Sequence, residues 1–213
     1  MVEAILFDFG GVITESPFEA FNAFERKRGL PENFIRKLNS DQQDKNAWAK
    51  LERGEVSPDE FDELFRHEAK NRGHNVGGLE ILKLVFTPLR PSMVSLIQQC
   101  KNNYQVACLT NNFPRTPTLE SLIGTSRLND WQKVLGEFSY VIESAKIGSR
   151  KPEEQFFQTA CELIGVKPNS AVFLDDIGSN LKPARNMGMT TIKVTSAQQA
   201  ISSLEAVLKT NNT

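Results

Sequence analysis

Three short apolar runs dominate what this chain can fold into, because each stops on a polar group and helical sequence separates them. Val2 to Phe7 ends at Asp8 and the Gly10-Gly11 pair, Tyr104 to Leu109 ends at Thr110-Asn111-Asn112, and Ser170 to Leu174 ends at Asp175-Asp176. Short, mainly apolar runs of this length suit strands buried on both faces, as in parallel sheets covered by helices. Shorter runs at Tyr140-Val141-Ile142 and from Thr191 to Val194 extend the pattern. Alternation of strand and helix implies an α/β fold with a doubly wound parallel sheet. Ligands bind such sheets beyond the carboxyl ends of the strands, which is where the polar groups would gather.

The stretch from Glu15 to Pro88 has a different character, with helical patterns and no convincing strand. Phe18, Phe21 and Phe24 recur at helical spacing, as do Phe61, Leu64 and Phe65. Ser57-Pro58-Asp59-Glu60 is a helix start, with a capping residue, a proline suited to the first turn and an acid three positions on. Gly73, Gly77 and Gly78 punctuate the later half, and Thr87 to Pro91 marks a return to the sheet. The chain is therefore expected to divide into a core made of residues 1–14 and 89–213 and a helical insert of residues 15–88. The insert would lie over the mouth of the sheet where Asp8 emerges. A chain of 213 residues is long enough for either one core or a core with an insert, so motif placement carries this division.

Composition narrows the partners. The formal net charge is -1, with Lys and Arg dispersed, so nothing marks a surface for nucleic acid or an anionic membrane. A small molecule is the expected partner, and oligomeric state is not legible. No run approaches the roughly 20 apolar residues of a membrane span. Acidic Glu3 and Asp8 interrupt the region where a signal peptide would need basic and then purely apolar sequence, so a cytoplasmic location is expected. Cys100, Cys108 and Cys161 lack metal-type spacing and read as buried free thiols.

The strand ends supply a candidate chemistry. Asp8 closes the first strand ahead of two glycines that let backbone come close to a ligand, a good position for a nucleophile. Asp175 and Asp176 are adjacent carboxylates at a buried sheet edge and repel each other unless a cation or proton intervenes. Mg²⁺ suits a few carboxylates, carbonyls and retained waters, which fits Asp8, Asp176 and the carbonyl of Gly10. Asn180, in the first turn of the following helix, is placed to orient an aspartate or a metal-bound water. Lys151 stands before Pro152, extended and just ahead of a helix whose first turn Pro152 suits, and can reach in as a point charge. Thr110 and Asn111 offer a hydroxyl, an amide and backbone N–H groups to phosphate oxygens. Three aspartates and one lysine sum to about -2, which repels a phosphate dianion; one Mg²⁺ brings the sum to about zero. Phosphoryl transfer depends on positioning and neutralising the equatorial oxygens while Asp8 attacks in line to form an aspartyl-phosphate.

These residues, in this order, resemble the four motifs of the haloacid dehalogenase superfamily: Asp8-Phe9-Gly10-Gly11-Val12, Leu109-Thr110-Asn111, Lys151-Pro152 and Leu174-Asp175-Asp176-Ile177-Gly178-Ser179-Asn180. The run from Phe173 to Arg185 looks especially like the N-terminal phosphatase domain of soluble epoxide hydrolase and related domains fused to acyl-CoA dehydrogenases. The resemblance implies a Rossmann-like core with a helical cap inserted after the first motif. It also implies a phosphatase in which Asp8 is nucleophile and metal ligand, Gly10 lends its carbonyl to Mg²⁺ and Asp176 is the second acidic ligand. Thr110 and Asn111 would hold phosphate, Lys151 would neutralise it, and Asp175 and Asn180 would support the metal.

One position departs from the pattern. Most phosphatases of the superfamily carry a second aspartate two residues after the nucleophile, as acid and then base, and here that place is Gly10. Such help is typically worth ~10²- to 10⁴-fold, so slow turnover or a restriction to good leaving groups is expected. Glu15 is the nearby candidate for a replacement acid. Two other readings stand beside the phosphatase: a catalytically weak metal- or phosphate-binding scaffold, which Gly10 permits, and a 2-haloacid dehalogenase. Asp175-Asp176 argues against the latter, which needs no Mg²⁺ and would gain a liability from paired carboxylates beside an anionic substrate.

Overall fold

The computed structural model describes residues 1–211. The chain opens with strand β1 (Ala4–Phe7) and then runs through five helices, α1 (Phe18–Arg28), α2 (Phe34–Ser40), α3 (Ala47–Glu52), α4 (Pro58–Lys70) and α5 (Gly78–Val85). Strands and helices alternate from there: α6 (Pro91–Cys100), β2 (Gln105–Thr110), α7 (Pro117–Ile123), α8 (Thr125–Leu135), β3 (Tyr140–Glu143), α9 (Ser144–Ile147), α10 (Glu154–Ile164), β4 (Ala171–Asp175), α11 (Gly178–Asn186), β5 (Thr190–Lys193) and α12 (Ala197–Asn211).

All five strands are parallel, in the order β3-β2-β1-β4-β5. Every residue of β1 and β4 is buried, Asp175 at the end of β4 included, while the edge strands β3 and β5 are partly exposed. Alternate side chains of each strand serve opposite faces. Ile5, Phe7, Val106, Cys108, Val172 and Leu174 pack with α6 and α12 residues such as Met93, Ile97 and Leu204. Leu6, Ala107, Leu109 and Phe173 pack instead with Phe156, Phe157 and Ala160 of α10 and Leu181 and Ala184 of α11. The result is the Rossmann-like three-layer sandwich that the alternation implies.

The register explains why the polar groups meet. Phe7 is level with Cys108 on one side and Leu174 on the other, so the next step along each strand brings Asp8 alongside Leu109 and Asp175.

No strand occurs among residues 15–88; the chain there builds its own apolar cluster around Phe21, Ile35, Leu51, Phe61, Phe65 and Leu82. The Ser57 start forms as read: Ser57 Oγ accepts from Glu60 N–H, and Glu60 Oε2 accepts from Ser57 N–H at 2.7 Å. Leu119 of α7 and Leu128 of α8 join this helical cluster although they follow β2. The helical stretch leaves and rejoins the sheet at one place. Thr14 and Leu89 form an antiparallel bridge there, flanked by Glu15 N–H to Pro88 O and Arg90 N–H to Ile13 O, each 2.8 Å.

Cys100, Cys108 and Cys161 are free and buried. Among the described residues no helix is long and apolar enough to cross a membrane.

Phe157 is fully buried between α10 and the sheet, with its ring edge-on to both Phe156 and Phe173. Phe157→Ala is expected to lower stability by about 3–5 kcal/mol, measured by denaturant unfolding.

Candidate active site

Three acids converge at the carboxyl end of the central strands. Asp8 follows β1 and is fixed by its backbone, which donates to Leu174 O at 2.8 Å, and by Phe9 N–H donating to its Oδ1 at 2.7 Å. Asp175 ends β4 and Asp176 follows it. Carboxylate oxygens of Asp8, Asp175 and Asp176 all lie within 4.8 Å of one another.

A buried lysine holds two of them together. Lys151, 1% exposed, places Nζ 2.7 Å from Asp8 Oδ1 and 2.9 Å from Asp175 Oδ2. Its loop departs from the sequence expectation. Residues 150–153 close a turn, with Glu153 N–H donating to Arg150 O at 2.8 Å, so α10 begins at Glu154 and leaves Pro152 outside its first turn.

The remaining capacity of Asp175 is used internally, since Ile177 N–H donates to its Oδ1 at 2.7 Å and Asn180 Nδ2 lies 3.2 and 3.0 Å from its two oxygens. Asp175 is therefore a buried strut that orients Lys151. Asp176 differs, because its Oδ1 is buried and has no hydrogen-bond partner. Burial pushes the Asp8 carboxyl well above the usual range; Asp175 and Asp176 add to this, and Lys151 opposes it without prevailing. Burial, then Asp175, raises Asp176 to about 6. Burial works against charge on Lys151, but Asp175 and Asp8 outweigh it and hold the ammonium above its ordinary value.

An orphaned carboxylate oxygen within reach of a second crowded carboxylate is a donor set that suits a hard divalent cation. The two glycines after Asp8 serve different needs. Gly11 has φ +74°, and a Cβ there would collide with the Asp176 carboxylate, its Cγ 2.5 Å away. Gly10 has open space around its missing Cβ and lines the cavity beside Asp8.

That cavity, of about 350 Å³, is bounded on the strand side by Asp8, Gly10, Asn111, Lys151, Asp176 and Asn180. Helices α1, α2, α3 and α5 close it with Phe18, Phe21, Arg36, Trp48, Glu52 and Val85. Thr110 and Asp175 stand outside its lining. The Thr110 hydroxyl makes only a long 3.4 Å contact with Asn111 O. Asn111 corrects the expectation that its side chain waits for phosphate. Its Nδ2 donates to Lys151 O at 2.9 Å and Glu52 Oε2 at 3.1 Å, and its Oδ1 accepts from Lys151 N–H at 2.9 Å. Both donors are committed, so the amide splints the lysine loop. Glu15 is a second correction. It is exposed, ion-paired to Arg90 at 3.0 Å beside the Thr14–Leu89 bridge, and absent from the cavity lining, so it does not face the site as a replacement acid would.

Glu52, at the end of α3, is the residue that sequence reading missed. Its Oε2 accepts from Arg150 Nε at 2.5 Å as well as from Asn111, and its Oε1 accepts from Trp48 Nε1 at 2.8 Å. The next residue, Arg53, pairs with Glu153 at 2.5 Å, so the two ion pairs cross with charges exchanged. Gly54 completes the contact, because a Cβ there would lie 2.6 Å from Ala145 O. The sequence holds no signal for this latch beyond a Glu-Arg pair whose partners lie about a hundred residues on.

A family model described as haloacid dehalogenase-like hydrolase matches residues 2–188. The chain is 32% identical over 211 residues to acyl-CoA dehydrogenase family member 10 of Mus musculus and 30% identical over 217 residues to bifunctional epoxide hydrolase 2 of the same species. Each match covers 96% of this chain but only 19% and 38%, respectively, of those longer proteins. In fold, the chain is similar to an enzyme of the HAD family from Bacteroides thetaiotaomicron, solved in complex with magnesium and inorganic phosphate. The TM-score is 0.60 at 21% identity, covering 91% of this chain and 94% of that one.

The acid cluster has a consequence for stability. Without metal, folded Asp8 and Asp176 sit above the range of an unfolded carboxylate, so the folded site takes up protons that the unfolded chain releases. Their contribution therefore improves as pH falls from above about 6 and is lost as pH rises through that value. Melting of EDTA-treated protein should occur at a higher temperature at about pH 5.5 than at about pH 7.5. Added Mg²⁺ should raise the value at the higher pH. A metal-free melting temperature that rises with pH across this window would contradict the electrostatic account.

Proposed function

The chain belongs to the haloacid dehalogenase-like hydrolase family, and on that premise we propose that it is a Mg²⁺-dependent phosphatase that hydrolyses a small phosphate monoester through an aspartyl-phosphate on Asp8. The observation that carries this reading is the partnerless Asp176 oxygen beside Asp8, with Lys151 already neutralising the other side of the cluster. Asp8, Asp176 and the Gly10 carbonyl would hold Mg²⁺. Bound there, the ion supplies charge neutralisation and polarises a phosphoryl oxygen.

The chain's own groups account for the remaining steps. Phe9 N–H and Lys151 both engage Asp8 Oδ1, which fixes the carboxylate plane and leaves the other oxygen freer to attack phosphorus in line. Lys151 offsets charge on the equatorial oxygens, with the Thr110 hydroxyl at the end of β2 as a further donor. Asp175 and Asn180 hold Lys151 in place, and water then hydrolyses the acyl phosphate. Residues 1–14 and 89–213 form the catalytic core, and residues 15–88 act as a cap that shuts the cavity and excludes bulk water.

No acid stands at position 10, and the cap carboxylate that lines the cavity, Glu52, is already held by Arg150, Trp48 and Asn111. Proton transfer to the departing oxygen is left to solvent, which restricts efficient turnover to good leaving groups. The same Gly10 supports a second reading, a scaffold that binds metal and phosphate without useful turnover. A dehalogenase is disfavoured by the uncompensated acids, which would repel a haloacid.

p-Nitrophenyl phosphate should be hydrolysed with Mg²⁺ and not with EDTA, and Asp8→Asn should reduce the rate to background. Activity surviving that substitution would reject Asp8 as nucleophile. Chloride release from chloroacetate in EDTA would establish the dehalogenase, whereas Mg²⁺ and phosphate binding without turnover of any ester would establish the scaffold. Glu52→Gln keeps the shape of the latch but removes its charge, and is expected to lower kcat/KM about 10-fold or more with melting temperature as the control for folding.

A further inference from the structure

The cations that line the cavity are not equally matched. Lys151 is held between Asp8 and Asp175, and Arg150 is matched by Glu52. Arg36, reaching the same cavity from α2, forms no ion pair among the described residues. Its recorded polar partner is an amide oxygen, Asn22 Oδ1, 2.6 Å from Nη2. Its Nε is buried and has no partner. The guanidinium is nevertheless held in place, because the Phe18 ring lies 4.8 Å from its Cζ and Asn22 anchors one end. One turn on, Asn39 lines the same cavity, and its side-chain oxygen is also buried without a partner.

Such a group is costly unless something completes it. A buried donor without an acceptor is disfavoured, and a partly desolvated guanidinium without a counter-charge more so. Water could satisfy the donor but would leave the charge. An anion in the cavity does both, and the planar edge of arginine is shaped for carboxylate or phosphate oxygens. The Asn39 amide can offer oxygen or nitrogen to the same ligand by a half-turn of its end group. The cap also lines this cavity with Phe18, Phe21, Trp48 and Val85, apolar surface suited to a short carbon skeleton.

We infer that Arg36 and Asn39 form a second anion subsite, and that the preferred substrate is a phosphate monoester whose leaving group carries another anionic group. This rests on the phosphatase reading for which end of the ligand reacts, but the subsite itself is a matter of binding. The chemistry it selects is a short chain with phosphate at one end and a carboxylate, or a second phosphate, at the other. Arg36 supplies specificity and takes no part in the bond changes at phosphorus.

Phosphonates separate the two claims because they bind without being turned over. Phosphonoacetate, 3-phosphonopropionate and 4-phosphonobutyrate would be titrated calorimetrically into the full chain with Mg²⁺, each against the alkylphosphonate of equal length. At least one acid is expected to bind about 10-fold or more tightly than its alkyl match, the size of effect a charge-assisted hydrogen bond supports. Arg36→Gln should bring that ratio close to one, and Arg36→Lys, which keeps the charge but not the planar fork, should restore part of it. Equal affinities within all three pairs, or selectivity that survives Arg36→Gln in a protein that still melts cooperatively, would overturn the subsite and leave the phosphatase reading intact. Failure of every phosphonate to bind would overturn both. Selectivity without turnover of any phosphate ester would sustain the subsite and reject the phosphatase.

Discussion

A single buried ammonium makes the rest of this site possible. Three carboxylates at the end of two adjacent strands would not stay folded together unaided, because each loses hydration and each repels the others. Lys151 sits between Asp8 and Asp175 at 2.7 and 2.9 Å and offsets part of that cost. The offset is incomplete. Asp8 and Asp176 remain pushed upward, and Asp176 keeps an oxygen with no partner. A site left short of positive charge in this way suits a hard divalent cation, the premise of the proposed phosphatase.

The lysine is itself held from the helical side of the molecule. Asn111 grips the Lys151 backbone in both directions and passes its remaining hydrogen to Glu52 on α3. Glu52 in turn takes Arg150, the neighbour of Lys151, while Arg53 takes Glu153 two residues beyond it. The docking of α3 and the position of Lys151 are thus one hydrogen-bonded unit.

Charge therefore has a direction along the cavity. At the strand end, acids exceed bases. At the helical end, Arg36 exceeds its partners and awaits an anion. Gly10 fits the same picture from the side of catalysis, since a site without an acid at that position depends more on how well the substrate is gripped and how readily its leaving group departs.

The sequence determined the sheet, because short, mainly apolar runs that alternate with helical sequence suit parallel strands buried on both faces. It also determined that Asp8, Thr110, Asp175 and Asp176 emerge at one edge, since parallel strands all present their carboxyl ends there, whereas Lys151 reaches that edge from the loop before α10. The Ser57-Pro58-Asp59-Glu60 start was equally legible, being a local hydrogen-bond pattern closed within four residues. Residue type and strand position could not reveal which polar groups were already spent. Asn111 reads as a phosphate donor until its donors are found committed, Glu15 as an acid until it is found paired with Arg90, and Glu52 goes unread until it is found buried against Arg150. Those assignments join residues up to about a hundred positions apart, and a hydrogen-bond partner at that separation is chosen by how helices pack on a sheet, which only the tertiary structure decides.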